Sequence, residues 1–587
     1  MPTSVPPAQW IVLFIVHAAD DQSRFYSEQL FTRLLQANSS PDVRVFVLRS
    51  TYDYADNTRT HAHLFEIVSE YGRPKIKRVY PDGFNPLDLS KDNLAKKSFG
   101  SMGENINLGD PSVLQIILNR VRDFVGTDDK GNYPKVMLFT WDHGCAFGIF
   151  DPVQYEIPTA RPIKSFPGTD MLMIRELANA IKHSLVKVDI LVMMNCWMQS
   201  IETNDQLKDC VEVLVAPETS IDWLGYDYIS IINTLIDDSA KAKAITLNYF
   251  NYFYLNTLAS TIIKSTNTMY RNIDGTTPID IKLDELVLSA TRPGSPLLQA
   301  LKEQIRGLAH SLTANLDADI DQVAKARNAV YELTQEFGGG GKPWCFIDIF
   351  ELVTKLQDNG ISFTYSAFMI DLKNTLKVDP TGFVVAQQKG KNRTSLGGLS
   401  ICFPNNKAFV NSKFYQTYYS PDSTNPDIRI SFAKTAEEWP LFIDAAIKKD
   451  KIFPSAVNGK NYSMTLTHSV HMDSDVYITS MMGSFKEESK DWMIVDTDID
   501  SLPLKNFRLI CDVDLNVNKN RVRIDSLVPK CTTKMGGQVV ELSVGRGAGN
   551  GKNTGVGNGK NTGVGSGKNT GVGELIRSYA LEDDRDV

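Results

Sequence analysis

Apolar and polar positions follow two rhythms through the first half of this chain. Short apolar runs occur at Trp10 to His17, Val43 to Leu48, Pro134 to Trp141, Val188 to Met194 and Val211 to Ala216. Each has the length of a buried strand. Between them, apolar residues recur three or four apart. Ser23 to Leu35 gathers Phe25, Leu30, Phe31 and Leu34 on one face, and Thr60 to Tyr71 gathers Leu64, Ile67 and Val68, so both are expected as helices. Asp110-Pro111-Ser112 opens another, with Asp as N-cap, Pro in the first turn and Val113, Ile116, Ile117 and Val121 behind. Thr169 or Asp170 is expected to cap a further helix, Leu172 to Ile181. Strands alternating with helices predict a mostly parallel sheet with right-handed crossovers, flanked by helices.

The rhythm changes further along. From Ile229 to about Asp358 the spacing is helical, most clearly at Leu297 to Leu316, Ile320 to Phe337 and Phe346 to Leu356. Strand signals return at Gly382 to Ala386 and Leu399 to Phe403, and a helix over Ala436 to Lys448 closes this part. Residues from about Lys451 to Val544 alternate as strands. Three copies of GKNTGVG follow at an eight-residue (octapeptide) period, from Gly551 to Gly573. With one Val per repeat they cannot bury a core, and they lack the Lys-Ser/Thr pair and flanking elements of a phosphate loop. The expected organisation is an α/β core over residues 1–235, a mainly helical region over 236–380, and a strand and helix completing the core over 381–450. An accessory β domain over 451–545, a Gly-rich linker over 546–573 and a tail over 574–587 complete it.

At 587 residues the chain exceeds one core, and 42% hydrophobic with 22% charged residues is a globular composition. The net charge of −7 argues against a general nucleic-acid binder. Seven scattered cysteines form no CxxC pair and suit a reducing compartment. The N-terminal stretch has no basic segment before its apolar run, and no apolar stretch is long enough to span a bilayer. The expectation is a cytoplasmic protein without a signal peptide or membrane span. His468 and His471 with Asp473 and Asp475 do not suggest a metal, because positions three apart on a strand face opposite ways. No EF-hand-like run is present to carry calcium.

Two strands end in chemistry. Val188 to Met194 runs into Asn195-Cys196-Trp197, and Pro134 to Trp141 runs into Asp142-His143-Gly144. Carboxyl ends of strands in α/β sheets are where sites are built. A thiol and an imidazole on neighbouring strands are the minimum for nucleophilic hydrolysis. Read singly, each is as readily an ordinary buried residue. Between the two strands lies a loop, Cys145 to Thr169, with four prolines, long enough to be functional or unstructured.

The segments around these residues resemble the clostripain family of cysteine peptidases, in the caspase-haemoglobinase-like fold group. Its opening strand and acidic turn resemble Trp10 to Asp20, and its N-M-x-D-P helix start resembles Asn107 to Pro111. Its W-D-H-G motif matches Trp141 to Gly144, and its D-A-C-L-M-x-x-x-E motif is similar to Met194 to Met198 with Glu202. Further similarities fall in order at Leu214 to Glu218, Gly225 to Tyr228, Gly398 to Pro404, and Phe432 to Lys434 with Trp439.

This resemblance implies a cysteine endopeptidase acting on protein or peptide substrates without a cofactor; some relatives depend on calcium. Cys196 would be the nucleophile, His143 its acid–base partner, and the backbone N–H groups of Gly144 and Cys196 the oxyanion hole. Met194 stands where the family carries an Asp for a basic P1 side chain. Specificity is therefore open between a basic residue met by Asp222 or Asp227 and an apolar one met by Met194, Trp197 and Trp223. Relatives activated by self-cleavage point to Lys164 in the 145–169 loop. The rival expectation is a weakly catalytic scaffold, or an effector restricted to one partner protein, with the β domain or the tail as its binding part.

Overall fold

The computed structural model describes residues 8–18, 21–53, 56–70, 73–78, 108–128, 130–150, 171–243, 250–272, 283–331, 333, 346–361, 366–404, 410, 413–423, 426–449, 462–467, 476–487, 492–503, 508–513, 522–535 and 538–543. Contacts divide the chain into two units, residues 1–336 with 341–453, and 337–340 with 454–587.

The first unit begins β1 (Trp10–Ala18), α1 (Asp21–Leu34), β2 (Val43–Asp53), β3 (Asp56–Glu70), β4 (Arg73–Arg78), α2 (Pro111–Val125) and β5 (Lys135–Trp141). Two short strands, β6 (Gly148–Ile149) and β7 (Leu172–Met173), precede α3 (Ile174–His183), β8 (Val188–Met194), α4 (Ile201–Leu207) and β9 (Val211–Pro217). Then come α5 (Tyr228–Lys243), α6 (Tyr252–Arg271), β10 (Val287–Thr291), α7 (Pro296–Ala314) and α8 (Leu316–Ala329). The unit ends with β11 (Phe346–Asp348), α9 (Ile349–Asp358), α10 (Ser366–Thr375), β12 (Val384–Lys389), β13 (Ser400–Cys402), α11 (Lys413–Tyr418), α12 (Ser431–Thr435) and α13 (Glu438–Lys448).

Nine strands form one sheet in the order β12-β10-β9-β8-β5-β1-β2-β3-β4. Its centre, from β2 through β1, β5 and β8 to β9, is parallel. Both ends are closed by antiparallel strands. The central strands β1, β5 and β8 are almost entirely buried, as expected for a parallel sheet covered on both faces. Helix α1 contacts α5, which contacts α6, while α3 packs against α2 and α4. This is the mostly parallel α/β architecture that the alternating apolar runs predict.

Helix α2 starts as expected, the Asp110 carboxylate accepting from the Ser112 N–H with Pro111 in the first turn. Three expectations need correction. Of the stretch expected as a helix to Tyr71, Thr60 to Glu70 belongs to strand β3: Thr58, Thr60 and Val68 are β-branched, and the segment pairs along the edge of β2. Leu64 and Ile67 are both buried because successive strand residues serve opposite faces of the sheet. Helix α3 begins at Ile174 with Met173 as N-cap residue, two residues later than expected. The helical stretch after residue 236 also contains a strand of the main sheet, β10, buried throughout.

The second unit holds β14 (Tyr462–Thr467), β15 (Val476–Glu487), β16 (Trp492–Pro503), β17 (Arg508–Val513), β18 (Val522–Met535) and β19 (Gln538–Ser543). They pair antiparallel as β14-β17 and as β16-β15-β18-β19. The octapeptide repeats, the tail, His468 with His471, and Lys164 with most of its loop lie outside the described residues. No described helix is long and apolar enough to cross a membrane, and no described cluster of His, Cys, Asp and Glu is arranged to hold a metal ion.

Candidate active site

Strands β5 and β8 pair in parallel with Trp141 opposite Met194. The next residues on each strand are Asp142-His143-Gly144 and Asn195-Cys196-Trp197, so the two segments leave the sheet side by side. Asn195 ties them together. Its side-chain amide donates to the carbonyls of Asp142 (3.0 Å) and His143 (2.9 Å), and its Oδ1 accepts from the Thr140 hydroxyl (2.5 Å). Asn195 and Thr140 are completely buried, where satisfied polar groups specify geometry strongly.

Gly144 sits against the second segment. A Cβ there would lie 2.7 Å from the Cys196 carbonyl oxygen and 2.9 Å from the Asn195 carbonyl carbon, both backbone atoms that cannot swing away. Only glycine permits this approach. Immediately after Cys196, Trp197 adopts a left-handed backbone with φ of 60°. That conformation is unfavourable for a bulky residue and persists only where the surroundings impose it. The Trp197 N–H donates to the Thr219 carbonyl (3.1 Å), and the buried indole N–H donates to the Leu333 carbonyl (2.8 Å).

Cys196 is 8% exposed. Its sulfur accepts from the Ile221 N–H at 3.4 Å and approaches the Ile221 carbonyl at 3.8 Å. The loop after Cys196 is stitched to β9 by Gln199 N–H to Pro217 O (3.0 Å) and to β13 by Ser400 N–H to Gln199 O (3.0 Å). His143 is half-buried, with its ring edge-to-face against Trp223 at 4.9 Å. Beside it, the buried Asp142 carboxylate meets His17 Nδ1 of β1 at 2.6 Å.

The five residues singled out for substrate binding are placed unequally. Met194 is buried and packs against Gly225, whose φ of 64° and 2.9 Å Cβ-site distance to Met194 Cγ leave no room for a side chain. Trp197 is buried as described. Asp222 is buried and its carboxylate accepts from the Leu224 N–H (2.9 Å), whereas half-buried Asp227 caps the start of α5 through the Ser230 N–H (3.2 Å). Trp223 is half-buried and faces His143.

Several supports carry roles that the sequence reading did not assign, although Glu202 and Glu218 stood in its motifs. Arg33 of α1 reaches under the loop after β9 and donates to the carbonyls of Leu224 and Tyr226, lying 4.7 Å over the Tyr228 ring. Burial lowers its basicity, partly offset by Tyr228, Tyr270 and Asp227. Glu202, completely buried on α4, accepts from the Cys402 N–H (3.0 Å) and the Tyr419 hydroxyl (2.9 Å). Burial raises its pKa to about 7. Glu218, equally buried, is pushed well above the ordinary carboxylate range by burial and by the adjacent Asp348. Asp348 itself accepts from the N–H groups of Glu351, Gly397 and Gly398. The pairing of Glu218 with Asp348 spans 130 positions by residue number and leaves no local signal in the sequence.

A sequence profile of the clostripain family, peptidase C11, matches residues 16–442, well over half the chain. No curated protein sequence matches significantly. Among solved structures, a secreted C11 cysteine protease from Bacteroides thetaiotaomicron, "iotapain", is similar at 16% identity and a TM-score of 0.44, over 74% of this chain and 99% of that one. An inactive zymogen C11 protease from Parabacteroides distasonis is similar at 15% identity and a TM-score of 0.46, over 71% and 99%. A Bacteroides thetaiotaomicron C11 protease in complex with an irreversible peptide inhibitor is similar at 13% identity and a TM-score of 0.45, over 73% and 99%. With the profile spanning both segments that leave β5 and β8, this chain belongs to the clostripain family of cysteine peptidases.

Proposed function

We propose that the protein is an endopeptidase working through a Cys196/His143 dyad. The observation that carries this reading is the in-register exit of the two segments from β5 and β8, clamped by Asn195. Cys196, as thiolate, attacks the scissile carbonyl carbon, and the electron pair moves onto oxygen. Collapse of this tetrahedral species expels the amine, which takes a proton from the His143 imidazolium and leaves a thioester on Cys196. His143 then removes a proton from water, which attacks the thioester and releases the acid and the thiol. The N–H groups of Gly144 and Cys196 receive the developing oxyanion, a contribution of about 10²–10³ in rate per donor in comparable sites. The Ile221 N–H aimed at the sulfur suits a negative charge there.

An irreversible peptidyl electrophile tests the dyad. It should label wild type and leave Cys196→Ala unlabelled; equal silence in both would favour the scaffold reading. A basic P1 preference rests on Asp222 and Asp227 alone, and each carboxylate would have to keep its backbone N–H while receiving a cation. Activation by self-cleavage after Lys164 belongs to the same proposal. Active wild type that stays a single chain through prolonged incubation would count against it, as would Lys164→Ala maturing normally. A cytoplasmic location belongs to the same proposal, supported by seven cysteines scattered along the sequence with no CxxC pair.

A further inference from the structure

Three aromatic rings run outward from the catalytic imidazole. Trp223 meets His143 edge-to-face at 4.9 Å and stacks almost parallel on Tyr26, 6.0 Å away with 7° between planes. Tyr26 in turn meets Phe25 edge-to-face at 5.2 Å. Exposure increases along the series: Trp223 and Tyr26 are half-buried, and Phe25 is 60% exposed. Phe25 and Tyr26 come from α1, and Trp223 from the loop after β9. Arg33, two turns further along α1, holds that loop by the carbonyls on either side of Gly225. The strip is thus assembled from two segments and fixed in place.

Its position selects its occupant. An extended peptide advances about 3.3 Å per residue, and Trp223 lies 4.9 Å from the His143 ring, so a side chain one or two residues from a scissile bond held at Cys196 and His143 is within reach of Trp223. The strip's chemistry selects a class of side chain. The nearby Asp222 carboxylate is turned to a backbone N–H, the Arg33 cation is turned to carbonyls, and Met194 carries no charge where the family has an Asp. The three rings themselves offer faces and edges, which favour aromatic and large aliphatic groups.

Resting on the dyad reading above, we propose that Phe25, Tyr26 and Trp223 form a substrate subsite for an aromatic or large aliphatic side chain within two residues of the scissile bond. Cleavage of a denatured peptide library by the full chain, followed by mass spectrometry, reads this directly. Wild type should cut peptides with Phe, Tyr, Trp, Leu or Met in that window over Ala-substituted counterparts with kcat/KM higher on the order of ten-fold or more. Phe25→Ala and Tyr26→Ala should erase most of that ratio, and Phe25→Leu should keep part of it. Because Phe25 is largely exposed, its replacement leaves the core intact.

Equal ratios in wild type and both alanine variants would overturn the subsite. So would a preference for Lys or Arg in the window, including one weakened by Phe25→Ala, since cations also bind ring faces. Absence of cleavage together with absence of Cys196 labelling would instead overturn the dyad, and the subsite with it.

Discussion

Gly144, Asn195 and Trp197 show how closely the two segments of the site are fitted. A methyl group on Gly144 would stand 2.7 Å from the Cys196 carbonyl oxygen, several tenths of an ångström inside ordinary contact. The backbone carrying the thiol would have to shift, and misplacement of about 1 Å can cost roughly 10²-fold in rate. Gly144→Ala is therefore expected to lower kcat/KM on a peptide substrate by about 100-fold; activity within a few-fold of wild type would show that the approach has no catalytic role. Trp197 makes the complementary point. Its left-handed backbone is held by the Thr219 and Leu333 carbonyls, and nothing in the local residues Cys196-Trp197-Met198 signals such a turn. The Asp142–His17 contact joins positions 125 residues apart. Both residues lie in motifs read from the sequence, but their contact was not legible there.

At the level of elements, Glu202 links α4, which follows the Cys196 loop, to β13 and to Tyr419 beyond α11. Its pKa rises from an ordinary value near 4.5 to about 7, with burial as the leading cause. A carboxyl whose pKa is raised by folding adds stability that is complete below the unfolded value and disappears as pH rises through the folded one. Glu202 thus weakens the fold between about pH 4.5 and 7, by roughly 3 kcal/mol once fully ionised. Glu218 acts in the same direction. Glu202→Gln keeps an acceptor for the Cys402 N–H and the Tyr419 hydroxyl and removes the charge. It should unfold at higher urea than wild type at pH 8 and near the wild-type midpoint at pH 4.5. A variant less stable than wild type at pH 8 would mean that the carboxylate's hydrogen bonds outweigh its desolvation. The same scale explains where periodicity misleads. Leu64, Ile67 and Val68 fit a helical face, but the segment is long, β-branched and adjacent to the edge of β2, and sheet pairing wins.

For the molecule as a whole, the order of apolar runs was enough to anticipate a central parallel sheet and the exit of His143 and Cys196 from its carboxyl end. Burial in a covered sheet writes itself locally, as uninterrupted apolar residues, and strand and helix periods are read over a few neighbours. The resemblance to clostripain peptidases added the family, which the profile over residues 16–442 establishes. The antiparallel strand β10 was not legible, because five buried residues between helices look like part of a helix. The remaining features join distant positions: Asp142 to His17, Glu218 to Asp348, Arg33 to the carbonyls of Leu224 and Tyr226, and Phe25 with Tyr26 to Trp223. Their formation depends on which surfaces packing brings together, a property of no single segment. The pattern of residues along the chain thus determined the central parallel strands and where the thiol and imidazole leave them. Packing of α1 against the loop after β9 decided what surrounds that pair, because ring stacking and buried hydrogen bonds act only between groups already brought within a few ångströms.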